Sequence, residues 1–170
     1  MATYTWDLGF DWNAVSKGGQ YYLQNGFVQF PGSGAPPSPG TPVNLQPGDT
    51  VTFFLYNLTP QAATPADYNV DSGSITFKAA EEGQTRDSPF DEATIPVPIG
   101  LSTNTSWSTI FSGGTNQSFP QWPLGQYSIV ADASLPSYYL MSVSITITYY
   151  PDNSVKKFIV DPEMVVGGAG

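Results

Sequence analysis

Fourteen Asp and Glu side chains carry whatever acid–base chemistry this chain can offer near neutral pH, because it contains neither histidine nor cysteine. Without imidazole or thiolate, the usual zinc ligand sets, the His/Cys blue-copper site, Ser-His-Asp and Cys-His nucleophilic catalysis and histidine proton transfer are all excluded. Carboxylate chemistry survives. Asp7 with Asp11, Glu81 with Glu82 and Asp91 with Glu92 are pairs of the kind a glycosidase uses, but sequence spacing sets no separation between them. Such clusters are usually solvated loops, since a perturbed carboxylate needs a cleft around it. No catalytic residue is assigned, and the expectation is a non-enzymatic protein.

Binding chemistry has more candidates. Asp67, Asn69 and Asp71 place three oxygen side chains at alternate positions, as an acidic calcium loop begins. The sixth and twelfth positions are then Ser72 and Lys78 in place of Gly and Glu, so an Asx-rich turn competes with a non-helical calcium loop as the reading. The chain also has 4 Trp, 10 Tyr and 10 Phe, enough aromatic surface to stack against sugar rings while amides take the hydroxyls. The sugar candidates off the expected strands are Trp12, Trp107 and Trp122, with Asn104, Asn116 and Gln121 nearby in sequence; Trp122, between two prolines, leads them. Aromatic residues in a β-sandwich are more often core, which is the competing reading for each.

Strands must position these groups. In Met141 to Tyr149, Met, Val, Ile, Ile and Tyr alternate with Ser, Ser, Thr and Thr, the period of two expected of a half-buried strand. Pro151-Asp152-Asn153-Ser154 then reads as a turn, and Val155 to Val160 as the returning strand. Tyr4, Trp6, Leu8 and Phe10 mark another strand with an aromatic face. Asn25-Gly26, flanked by Tyr21 to Leu23 and by Phe27 and Val28, reads as a hairpin turn. Thr50 to Asn57 carries Val51, Phe53 and Leu55 on one face and Phe54 and Tyr56 on the other. It therefore sits centrally, or lends Phe54 and Tyr56 to a partner as an association face.

Further strands are expected over Ser74 to Ala79, Thr94 to Ile99, Ser106 to Phe111 and Gly125 to Ala131, with Ser112 to Pro123 as a loop. Pro96 and Pro98 make the Thr94 segment an edge or bulged strand. With 17 Gly and 16 Pro punctuating the chain and no helical period, the fold class is all-β: a Greek-key β-sandwich of about seven to nine strands, in the immunoglobulin or cupredoxin manner. One domain spans 1–170, with a Pro/Gly-rich surface loop over 31–47 and a flexible tail over 167–170.

Five Lys and Arg against 14 Asp and Glu leave a net charge of −9, which repels phosphate backbones and anionic lipid, so neither nucleic acid nor membrane is an expected partner. The N-terminus shows no signal-peptide pattern and no apolar run is long enough to span a bilayer, so the expected location is cytoplasmic. The Asn-x-Ser/Thr sequences at Asn57, Asn104 and Asn116 read as chance in a Ser/Thr-rich chain.

Gly48-Asp49 before an aromatic strand, Gly125-x-Tyr127 opening a late strand, and a closing Phe158-x-x-Asp161-Pro162-x-Met164-Val165-Val166 resemble the AidA/PixA inclusion-body protein family of bacteria. Val160 stands where that family usually has an aromatic residue. The resemblance implies a small soluble bacterial β-sandwich able to accumulate as inclusions, without enzyme activity and without catalytic residues to carry over. Two functions follow as expectations. The first is self-association or partner binding; the second is lectin-like carbohydrate binding, with calcium as an optional cofactor.

Overall fold

The computed structural model describes residues 2–29, 44–59, 67–101, 119–130, 137–161 and 163–166, and these form an all-β sandwich. Its strands are β1 (Thr3–Phe10), β2 (Tyr21–Tyr22), β3 (Gln24–Gln29), β4 (Asn44–Leu45), β5 (Thr50–Asn57), β6 (Tyr68–Ala79), β7 (Thr94–Pro96), β8 (Gly100–Leu101), β9 (Gln121–Ser128), β10 (Ser137–Tyr149), β11 (Ser154–Val160) and β12 (Glu163–Val166). Of these twelve, β2, β4 and β8 are two-residue ladders too short to leave a period in the sequence. The expected loop over 31–43, the segment 106–111 and the tail 167–170 lie outside the described residues.

One sheet has four strands in the order β3-β1-β5-β9. β1 and β5 run parallel over their whole length, pairing Thr3 with Thr50 through to Phe10 with Asn57. The other sheet runs β2-β11-β10-β12-β4, with β6 on the free side of β10 and β7 and β8 on β6. Its centre is the alternating strand that the sequence singles out: β10 pairs with β11 from Val143–Val160 to Tyr149–Ser154, and with β6 on its other flank. Asn153 closes the β10–β11 turn at φ 54°, a conformation that Asn tolerates better than most residues.

Inward side chains fill one core between the sheets. Trp6, Leu8 and Phe10 from β1, Val51, Phe53 and Leu55 from β5, and Val143, Ile145 and Ile147 from β10 belong to it. Phe10 contacts Tyr68, Trp122 and Phe158 at ring-centre distances of 5.8, 5.8 and 5.4 Å, tying the two sheets through aromatic edges and faces.

Two local expectations change. Asn25-Gly26 lies inside β3, opposite Leu8 across a register shift, while the tight turn falls at Gly18-Gly19 between the Lys17–Gln20 bridge. Both glycines there have positive φ, so the turn took the residues that adopt it without strain. β9 begins at Gln121, ahead of the expected Gly125. It tolerates Pro123 because the ladder to β5 is interrupted between Phe53 and Phe54, where Gly125 and Pro123 are the successive partners.

Candidate functional site

Several expected site residues are buried by this packing. Trp122 lies on β9 with 3% of its surface exposed, and its Nε1 donates to the Gly100 carbonyl at 2.9 Å. Gln121 is buried beside it. Trp12 is 8% exposed, packed against Tyr68, Tyr149 and Phe158, and Lys156 Nζ stands 4.8 Å from its ring centre while donating to the Trp12 carbonyl. No sugar can stack on either indole in this conformation. The loop placement expected for Trp122 fails because the run 121–128 pairs with β5 despite its proline. Asn104, Trp107 and Asn116 lie outside the described residues.

The calcium candidates are not gathered in a loop. Asn69 and Asp71 are strand residues of β6, with Asp67 just ahead of it. Asn69 Nδ2 donates to one Asp71 carboxylate oxygen and Thr148 Oγ1 to the other, so both oxygens are engaged within the sheet. Among the described residues no three Asp or Glu side chains come together as a metal site would need. Asn57, first residue of an Asn-x-Thr sequence, is fully buried.

The outer faces of the two sheets differ. On the four-stranded sheet the alternation places Thr5, Asp7 and Gly9 of β1 beside Thr52, Phe54 and Tyr56 of β5. Asp7 has 0% and Tyr56 1% of its surface exposed, so the association face expected from Phe54 and Tyr56 is closed over Tyr56 and half-buried at Phe54. The two rings stand 6.1 Å apart. Leu58, just past β5, lies directly on Gly9: a β-carbon there would come within 2.1 Å of its Cδ1. The Leu58 amide donates to the Phe10 carbonyl, and Thr59 Oγ1 accepts from the Trp12 amide, which pins this exit segment against the end of β1.

Asp7 is the anomaly of that face. Neither carboxylate oxygen has a hydrogen-bond partner, nor does the buried Oγ1 of Thr5 on the same face. Burial alone pushes its carboxyl up to about 8, and its field together with burial raises the Tyr56 hydroxyl. Asp49 shows how this fold treats a buried carboxylate elsewhere. It is 4% exposed, and its two oxygens accept from the Ala2 and Gln46 amides.

The outer face of the eight-stranded sheet is open. Leu140 pairs with Lys78, Ser142 with Thr76, Ser144 with Ser74 and Thr146 with Ser72; on the other flank, Thr146 pairs with Lys157 and Thr148 with Val155. Rows of hydroxyls are therefore bordered by apolar groups, of which Tyr138, Leu140 and Val155 are 39, 45 and 59% exposed. Two of the chain's five cations, Lys78 and Lys157, lie exposed on this face. Where β6 ends and β10 begins, a shallow cleft of about 260 Å³ is lined by Ala80, Glu81, Tyr138 and Tyr139. Among the described residues no helix is long and apolar enough to cross a membrane.

Compared with protein-family models, with curated proteins and with solved structures, the chain gives no match.

Proposed function

We propose that this chain is a non-enzymatic association protein that works through the open outer face of β6, β10 and β11. The observation that carries the reading is the exposure of Tyr138, Leu140 and Val155 along the rim of a Ser/Thr-rich sheet face. Tyr138 and Leu140 stand at one end of the face and Val155, opposite Thr148, at the other, and exposed apolar groups sharing one sheet face are what a contact surface offers. Lys78 and Lys157 share that face with the Asp71 and Asp161 carboxylates, which accept from Thr148 and Ser142, so it presents both signs of charge, as a self-complementary contact needs. The AidA/PixA resemblance supports the same reading, of a bacterial β-sandwich whose work is assembly.

Sedimentation velocity across the soluble concentration range tests it. Growth of the sedimentation coefficient with concentration is expected, and its loss in Leu140→Lys with Val155→Lys. A wild-type monomer at every concentration, with no partner-free assembly at any salt, overturns the self-association form.

The cleft at Tyr138 favours carbohydrate binding as a second reading. A half-exposed tyrosine and a glutamate lining one cleft are residue types that take a sugar's apolar face and its hydroxyls. A glycan array with calcium and with chelator, repeated with Tyr138→Ala, decides it. Saturable binding lost in the variant supports the cleft; a blank array removes it.

A further inference from the structure

On the outer face of the eight-stranded sheet, strand register fixes where the charges stand. Ser74 of β6, Ser144 of β10 and Ile159 of β11 share one row across the strands. Two residues to one side of Ile159 is Lys157, opposite Thr146; two residues to the other side is Asp161, whose carboxylate accepts from Ser142 Oγ at 2.5 Å. On the β6 flank, Lys78 pairs with Leu140, four residues before Ser144, and the Asp71 carboxylate accepts from Thr148 Oγ1, four residues after it. Each lysine therefore has a carboxylate at an equal distance beyond the row, about 7 Å out on β11 and about 13 Å out on β6. Lys78, Lys157 and Asp161 are exposed and Asp71 is half-buried.

A second copy of this chain, turned over about a two-fold axis along that row, meets the face with unlike charges in contact. Lys157 then stands over Asp161 of the second copy, and Lys78 over Asp71 of the second copy, each contact being made twice. Turning the copy over about the length of β10 also brings unlike charges near. There, however, Lys157 falls one row, about 7 Å, short of Asp71, and Lys78 one row short of Asp161. The axis across the strands is the one that matches the rows. Two of the side chains on it are serines, short enough to let the sheets approach while the lysine stems reach across. Sheet twist sets packed faces about 30° apart, which displaces groups near the axis least, so the Lys157–Asp161 contacts hold the register. The four charges cancel, so a chain of net charge −9 can meet its like here without added repulsion.

We infer that two copies of this chain pair face to face about a two-fold axis along the Ser74–Ser144–Ile159 row, kept in register by reciprocal Lys157–Asp161 contacts. This rests on the association reading above and specifies its partner, a second copy, and its form, a closed pair. A two-fold contact uses the same patch on both copies and leaves none for a third.

Sedimentation velocity on charge-reversed chains tests the pairing. Lys157→Glu alone and Asp161→Lys alone each set like charges against each other at both contacts, and each should weaken dimerisation at least about tenfold. In an equimolar mixture of the two variants, every contact between unlike copies joins opposite charges again, so dimer should return to near the wild-type level. A mixture no more associated than either variant alone overturns this pairing, and so do single variants that dimerise as wild type does. If those same reversals are silent while Leu140→Lys with Val155→Lys abolishes association, the open face stands as the contact surface and this register falls. A wild type that is monomeric at every concentration removes both.

Discussion

The two outer faces are built from the same alphabet, alternating hydroxyl and apolar residues on antiparallel or parallel ladders, yet one is shut and the other open. On the β6–β10–β11 face, hydroxyls remain in contact with water and the lysines stay solvated. On the β1–β5 face, the Leu58 side chain packs on Gly9, and the Asp7 carboxylate is fully buried without a hydrogen-bond partner. The difference teaches that a polar residue on an outward position is harmless only while that face stays wet. Once covered without a partner, the same residue becomes costly.

The sharpest way to break the contrast is to remove the trapped acid. Because the folded carboxyl lies near 8 and the unfolded one near 3.8, its stabilising protonation is fully present below about pH 4 and lost as pH rises towards 8. Denaturant unfolding should show wild-type stability falling over that window. Asp7→Asn should lack this fall and be more stable than wild type by about 3 kcal/mol at pH 8.

Filling the space between Gly9 and Leu58 comes next. Gly9→Ala drives a methyl into Leu58, and the overpacking should cost about 1–3 kcal/mol in the same assay. At the border of the closed sheet, Trp122→Phe loses the bond to the Gly100 carbonyl while keeping an aromatic ring, and about 1 kcal/mol of stability should go with it.

The smallest effect on stability belongs to the open face, where Leu140→Lys should change unfolding by no more than about 0.5 kcal/mol because its side chain is already 45% exposed. Sedimentation should nevertheless register it. A variant that leaves stability intact but abolishes concentration-dependent assembly separates a contact surface from a structural one.

Much of this architecture was legible in the chain. The alternation in Met141 to Tyr149, the turn at Pro151 to Ser154 and the aromatic face of Tyr4 to Phe10 each became a strand or turn where periodicity placed them. Thr94 to Pro96 became a strand that pairs on one side, with β6. The candidate site was far less legible. Trp122 looked like a loop residue because two prolines flank it, but a register irregularity opposite β5 let the strand absorb Pro123 and turned the indole inward. Asp7 looked like half of a solvated acidic pair with Asp11, and Tyr56 like an offered surface. Both are buried in the folded chain, which neither position's local pattern indicates.

What the sequence by itself determined is the local period and the excluded chemistry: two-residue alternation follows from strand geometry, and no packing can supply an imidazole or thiolate the chain lacks. Only the tertiary structure decided which of the two faces of each strand stays wet. Alternation is symmetric between the faces, and the symmetry is broken by what packs against each of them. The burial of Asp7 leaves no visible signal in the sequence, yet it makes a buried acid of a carboxylate that the spacing alone would place in solvent.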